Sequence, residues 1–191
     1  MRYQPEHKAE IHQKIVKDAA RRVRTEGLAG AAVSAVMRDT GLTHGGFYKH
    51  FPSKDELLIE ALAEAFREIA DHLAQAAQDS EPGAGWRAIV KTYLTSEHAD
   101  HAEWECPLAA LGSELARADP AMKARIFGEL AKYRSRMLPF MPGRRTADKE
   151  RTFFAIFSTM IGAVELARVM PEPAMRAKVL ESARDFLLSS F

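Results

Sequence analysis

Pro52, Ser53 and Glu56 stand directly ahead of the apolar run Leu57, Leu58, Ile59. No other stretch of the sequence constrains the fold as tightly. A proline stops the helix that precedes it, and a serine three residues before a glutamate can cap the next one reciprocally. The spacing therefore predicts a long helix from Ser53 to about Gln78 and divides the chain at that point. Residues 1–52 hold short elements, and residues 53–191 hold long ones, with 53–78 as the connection.

Within the first part, Ile11, Ile15, Ala19 and Val23 recur every four residues and mark the inner stripe of a helix that Gly27 ends. Val33, Val36 and Met37 mark a second helix ended by Gly41. Thr43 is placed to cap a third, on which Phe47 and Phe51 share a face before Pro52. Beyond Gln78, the stretches 79–85, 139–146 and 171–173 read as loops, rich in Gly, Pro and polar residues. Between them helical spacing covers 86–97, 107–116, 120–138, 147–169 and 174–189. No sustained alternation of period two appears. The expectation is an all-α chain of about nine helices, with a three-helix head and a larger helical C-terminal body.

Charge separates the same two parts. The net charge is only +1, but residues 1–54 carry ten Lys or Arg against five Asp or Glu, leaving the rest at −4. A positive head suits a partner that presents phosphates. The single cysteine, Cys106, excludes an internal disulfide, and the N-terminus lacks the pattern of a secretory leader, so a cytoplasmic location is expected. The apolar segment 153–170 contains Glu165 and Arg168, and is read as a packing helix with no membrane partner.

Residues 33–51 supply the parts of a helix-turn-helix: two short helices, a tight turn with Gly41, and one inward face made by Phe47 and Phe51. That packing leaves His44, Gly45, Tyr48 and Lys49 facing outward. Lys49 can neutralise a phosphate or reach guanine O6 and N7, and His44 can bond a base edge. Tyr48 and Lys54 suit phosphates, and Thr43 sits where a helix N-terminus favours an anion. Gly45 and Gly46 allow close approach of the backbone, while Val33 and Ser34 can touch DNA backbone or a thymine methyl.

Gly41, Leu42, Thr43, Gly45, Phe47, Tyr48, His50, Phe51, Ser53, Lys54 and Leu57 together resemble the helix-turn-helix signature of the tetracycline-repressor (TetR) family. The resemblance spans about residues 11–60. It implies a regulator that binds double-stranded operator DNA as a homodimer, pairs its last two long helices in a four-helix bundle, and answers a small-molecule effector. It also adds His50 to the DNA-facing set. The chain departs from the pattern at Ala32, where the family usually has Thr, and at Met37 and Thr40, where it has small alanines. Ala32 cannot cap, so the second helix should start more weakly by about 0.5–2 kcal/mol.

In the body, Phe157, Ile161, Val164, Leu180, Phe186 and Leu187 are the candidates for the dimer interface, with Gly162 and Ala163 permitting close helix approach. Tyr93, Trp104, Phe127 and Tyr133 are candidates to line an apolar effector cavity. His98, His101, Glu103, Glu105 and Cys106 are metal-ligand types, but their spacing matches no metal motif, so neither a metal nor a cofactor is expected. Cys106 precedes Pro107 and can sit at a helix N-cap. There the dipole would lower its thiol pKa and make it a sensor; the alternative is a small buried apolar residue. Rival readings keep the fold but make it an activator or a protein-binding adaptor, or make Cys106 with His98 or His101 a thiol enzyme. The last lacks any group positioned as base or oxyanion site.

Overall fold

The computed structural model describes residues 5–101 and 105–191, and for Pro5 and His44 the backbone alone. Among these residues every regular element is helical: α1 (Pro5–Glu26), α2 (Val33–Asp39), α3 (His44–Phe47), α4 (Lys54–Gln78), α5 (Gly85–Tyr93), α6 (Ser96–Asp100), α7 (Pro107–Ala116), α8 (Pro120–Met137), α9 (Thr146–Val169) and α10 (Pro173–Ser190). Short 3-10 turns cover Leu28–Ala31 and Leu138–Phe140.

Ten helices replace the expected nine because 86–97 is not continuous. α5 ends at Tyr93, and the Thr95 side chain accepts from the His98 amide at 3.1 Å, capping the extra short helix α6. α3 is also shorter than the stretch expected after Thr43. Two adjacent glycines cost about 1 kcal/mol each within a helix, and residues 48–50 continue as turns, with Phe51 N–H still bonded to the Phe47 carbonyl at 3.0 Å.

Ser53 caps α4 as expected, its Oγ accepting from the Glu56 amide at 3.2 Å. The return half of the motif is used differently. The Glu56 carboxylate accepts from Arg125 Nη2 of α8 at 2.6 Å and so ties the start of α4 to the body. Ala32 leaves α2 with no side-chain cap. Arg22 of α1 holds that region instead, donating to the Gly30 carbonyl at 2.9 Å and pairing with Glu26 and Asp39. Met37 and Thr40 fit because Met37 fills the head core and the Thr40 hydroxyl donates back to the Val36 carbonyl at 2.8 Å.

Three apolar clusters make up the interior. Ile15, Val16, Ala19, Val36, Phe47 and Phe51 surround Leu57 and Ala61 in the head. Val23 and Ala31 meet Leu58, Leu62, Leu111, Leu115 and Ile126 at the junction. Tyr93, Tyr133, Phe153, Phe157, Met160, Val164, Leu180 and Leu187 join Phe66, Ile69 and Leu73 in the body. α4 contributes to all three.

Gly27 ends α1 at φ 74°, a conformation that favours glycine, and lies beside Glu114 of α7. Glu114 accepts from the Leu28 amide at 3.1 Å, so α7 holds the end of α1 directly.

Candidate nucleic-acid interface and the cavity of the body

The turn between α2 and α3 is built as the sequence suggests. Gly41 takes φ 75°, and the Leu42 amide bonds back to the Met37 carbonyl at 2.8 Å. Phe47 and Phe51 are buried and stacked, centroids 5.5 Å apart, which turns the other side of α3 outward. Tyr48 is 67% exposed, with its ring edge-on to Phe47. Ser34, Thr43, Gly45, Lys49 and Lys54 are exposed too, and Val33 is half-buried against the head core. Thr43 occupies the cap position of α3 but its side chain makes no capping bond. His44 sits at the first position of α3; its side chain lies outside the described residues.

His50 is placed differently from the rest of the set. It is half-buried, its ring 6.1 Å from that of His12 in α1, and its Nδ1 is buried without a hydrogen-bond partner among the described residues. Burial, then the charges of His12, Lys8 and Lys49, hold its pKa below the usual histidine value. His12 was missed in the sequence. It stacks on Phe51 and bonds Glu60 at 2.6 Å, fixing α1 against the start of α4. Its position one residue after Ile11 gave no signal beyond an ordinary helix surface.

Four of the six residues expected at a dimer interface are already covered by the chain's own packing. Phe157, Val164, Leu180 and Leu187 are buried inside the chain's own core, and Ile161 packs partly against it; only Phe186 is exposed, at 62%. The outward face of α9 is a different stripe, with Phe154, Leu166 and Val169 exposed around Ala155, Ser158 and Gly162. Met175 and Phe186 continue the exposed apolar surface on α10. α9 is long and apolar enough to cross a membrane by length and composition, and its other side packs on the body core.

The aromatic residues expected to line an effector cavity are placed in different surroundings. Tyr93 and Tyr133 are core residues, Phe127 is 64% exposed on α8, and Trp104 lies outside the described residues, as does Glu103. Tyr133 borders a cavity of about 350 Å³ between α1, α4 and α8. The larger cavity, about 860 Å³, lies between α4 and the α5–α6 region and is mainly polar in its side chains: Glu68, Asp71, His72, Glu97, His98 and His101 face it. His98 and His101 thus share a cavity, but among the described residues no three ligand types converge on a metal position.

Cys106 does occupy the N-cap of α7. It is fully buried, and burial pushes its thiol pKa up against the smaller opposing effects of the Leu108 and Ala109 amides and of Tyr93. The helix terminus loses to desolvation here. The structure thus favours the small buried residue over the activated thiol.

His98 is buried and held down to about 4 by desolvation first, then by the charges of Arg168 and His72. A histidine depressed in the folded state binds fewer protons than in the unfolded chain between pH 6.5 and about 4, so stability falls as pH drops through that window. Between pH 6.5 and 4.5 this one residue should cost the fold about 2–3 kcal/mol. Urea midpoints of wild type and His98→Gln, compared at pH 7.5 and 4.5, should therefore converge in the variant's favour at acid pH. An unchanged difference would contradict the assignment.

Comparison with known proteins now places the head and the fold. Residues 15–61 match the pattern of bacterial regulatory proteins of the tetR family. A helix-turn-helix transcriptional regulator of Mycobacterium tuberculosis is 32% identical over 71 residues, 37% of this chain and 30% of that protein. The regulator TtgR of Pseudomonas putida is 32% identical over 76 residues, 40% of this chain and 36% of its own length. The chain spans about a third of the length of these curated relatives. Over the full fold, a TetR transcriptional regulator from Chloroflexus aurantiacus superposes with a TM-score of 0.76 at 24% identity, covering 96% of this chain and 95% of that one. The head thus carries the pattern of the tetR family, and the chain as a whole shares the fold of a TetR transcriptional regulator.

Proposed function

We propose that the chain is a DNA-binding transcriptional regulator, a repressor that grips a palindromic operator as a homodimer and is released by a small-molecule effector. The observation that carries this reading is the outward face of α3. Thr43 at its cap, Gly45 within it, and Tyr48 and Lys49 in the turn that follows are exposed, held in place by buried Phe47 and Phe51, within a segment that matches the tetR pattern. Residues 1–52 form the DNA-binding part and 53–191 the dimerisation and sensing part. Such a protein acts in the cytoplasm, as a regulator and not as an enzyme.

One head of this size reaches few phosphates, and pairing two heads at successive major grooves, about 34–36 Å apart, provides the missing affinity. The exposed stripes of α9 and α10 supply the surface for pairing. Side-chain contacts connect the body to the head: Glu114 with the Leu28 amide, His12 of α1 with Glu60 of α4 at 2.6 Å, and Glu68 of α4 with Arg24 of α1 at 2.7 Å, while Glu56 with Arg125 ties the start of α4 to α8. An effector that shifts the body moves α1 and the head through them. To empty an occupied operator, the effector must prefer the released state by about 5 kcal/mol. Cys106 packs the core in this reading, and the sensing site is noncovalent.

The test is salt-dependent binding of the purified protein to DNA flanking its own gene. Affinity should fall steeply as salt rises. Lys49→Ala should lower the salt slope by about 1 if it meets a phosphate, and Lys49→Ala with Tyr48→Ala should weaken specific binding by roughly a hundredfold. Unchanged specific affinity in the double variant would sink the operator reading and favour a protein-binding adaptor.

A further inference from the structure

The 860 Å³ cavity has a size suited to a drug-sized molecule and a surface with a definite sign. Three carboxylates, Glu68, Asp71 and Glu97, border it, and among the described residues no Lys or Arg does. The cations that pair with two of these acids are not part of the wall: Arg24 holds Glu68 at 2.7 Å, while Arg67, at 2.9 Å, and Arg136 hold Asp71.

A second feature points to a ligand independently. His98 is 91% buried, borders the same cavity, and its Nε2 has no hydrogen-bond partner among the described residues. An unsatisfied buried polar atom costs about 1–3 kcal/mol, which a ligand's hydrogen bond would recover. The ring is neutral near pH 7, so it adds no positive charge to the wall. An anion entering here would meet carboxylates, while the nearby cations are already engaged: Arg24 by Glu68, Arg67 and Arg136 by Asp71, and Arg168, whose charge reaches His98, by Glu105. A bare metal ion would find no converging set of three ligands among the described residues.

We propose that the effector is an organic cation of the amidinium or primary ammonium class, held with its charge between Glu97 and Glu68 and an N–H donated to His98 Nε2. This rests on the reading of the chain as a ligand-released regulator and names the chemistry of its sensing site. Glu68 gives the site its route to the head. The carboxylate that borders the cavity is the one that holds Arg24 in the last turn of α1, so a cation that draws on Glu68 competes with the head for it.

The test is calorimetry on the full chain without DNA, using three probes of nearly one shape: 4-phenylbenzamidine, biphenyl-4-carboxamide and biphenyl-4-carboxylate. The amidine should bind at least about tenfold tighter than the amide, a difference of about 1.4 kcal/mol, and the carboxylate should give no heat. Glu97→Gln, a change at an exposed side chain, should weaken the amidine at least about threefold, as loss of one nearby charge implies. Arg24→Met, with folding checked by circular dichroism, should tighten it by a similar factor because Glu68 is released. Equal affinity for amidine and amide, preference for the carboxylate, or no heat from the amidine at millimolar concentration would overturn the cationic site. An unaltered amidine affinity in Arg24→Met would overturn the competition at Glu68. No DNA is present, so these outcomes stand apart from failure of the operator reading, which the salt titration detects separately.

Discussion

Replacing Arg168 by Met should destabilise the fold by about 3–5 kcal/mol, because it leaves a buried carboxylate without its counter-charge. Glu105 is 1% exposed and pairs with Arg168 of α9. The same guanidinium donates from Nε to the Ala99 carbonyl at 2.9 Å, so one side chain fastens α9 to α6 and to the segment leading into α7. Burial depresses the pKa of Arg168 itself, a sign that the charge has left water. In the variant, Glu105 can escape its isolation only by taking a proton. Its folded pKa should then rise above the unfolded value, and the deficit should shrink as pH falls toward 5. Thermal unfolding at pH 7.5 should show a Tm lower by roughly 10 °C. Adding Glu105→Leu should bring stability back to within about 1 kcal/mol of wild type, since removing both charges removes the desolvation cost with them. A loss below 1 kcal/mol for the single variant would mean that the pair contributes nothing at that site.

The second large effect concerns pairing of two copies. Leu166 and Phe186 are about half-exposed or more on α9 and α10, within the apolar surface that the proposed dimer covers. In an isologous interface every substitution occurs twice, so Leu166→Glu with Phe186→Glu would place four uncompensated carboxylates in it. Dissociation should strengthen by at least about a hundredfold, equivalent to about 3 kcal/mol. Specific DNA affinity should fall by a larger factor, roughly a thousandfold, as the second head is lost. Sedimentation velocity should show a monomer whose urea midpoint matches that of wild-type monomer, since neither side chain belongs to the chain's own core. A variant that remains dimeric would place the interface elsewhere.

Those two residues also show what the sequence could and could not reveal. The head was legible because its information is local: a capped helix start at Ser53, a left-handed turn at Gly41 and the i, i+4 pair Phe47 and Phe51 each depend on neighbours a few positions away. α9 was not, because it is apolar on both sides. Val164 and Leu166 are equally hydrophobic, yet one is buried in the intrachain core and the other exposed. Hydrophobicity identifies a packing surface without saying which partner covers it. The cavity was hidden for a different reason: Glu68, Thr92 and His98 come from separate elements, and no spacing rule joins them. At Cys106 the sequence correctly placed the cap, and the depth of burial reversed its chemical consequence. Thr95 was readable in principle, since a cap residue two positions after Tyr93 announces a new helix.

α4 is 25 residues long, about 37 Å at 1.5 Å per residue, and contributes side chains to the head, junction and body clusters alike. The head and the body are therefore not two independently melting units. Opening the head strips apolar cover from the same rod that the body needs, so partial unfolding of either end is penalised by the other. Loss of DNA binding by local melting is accordingly an expensive route. A displacement of intact pieces about the rod is cheaper, and it would let the proposed regulator switch reversibly while staying folded throughout.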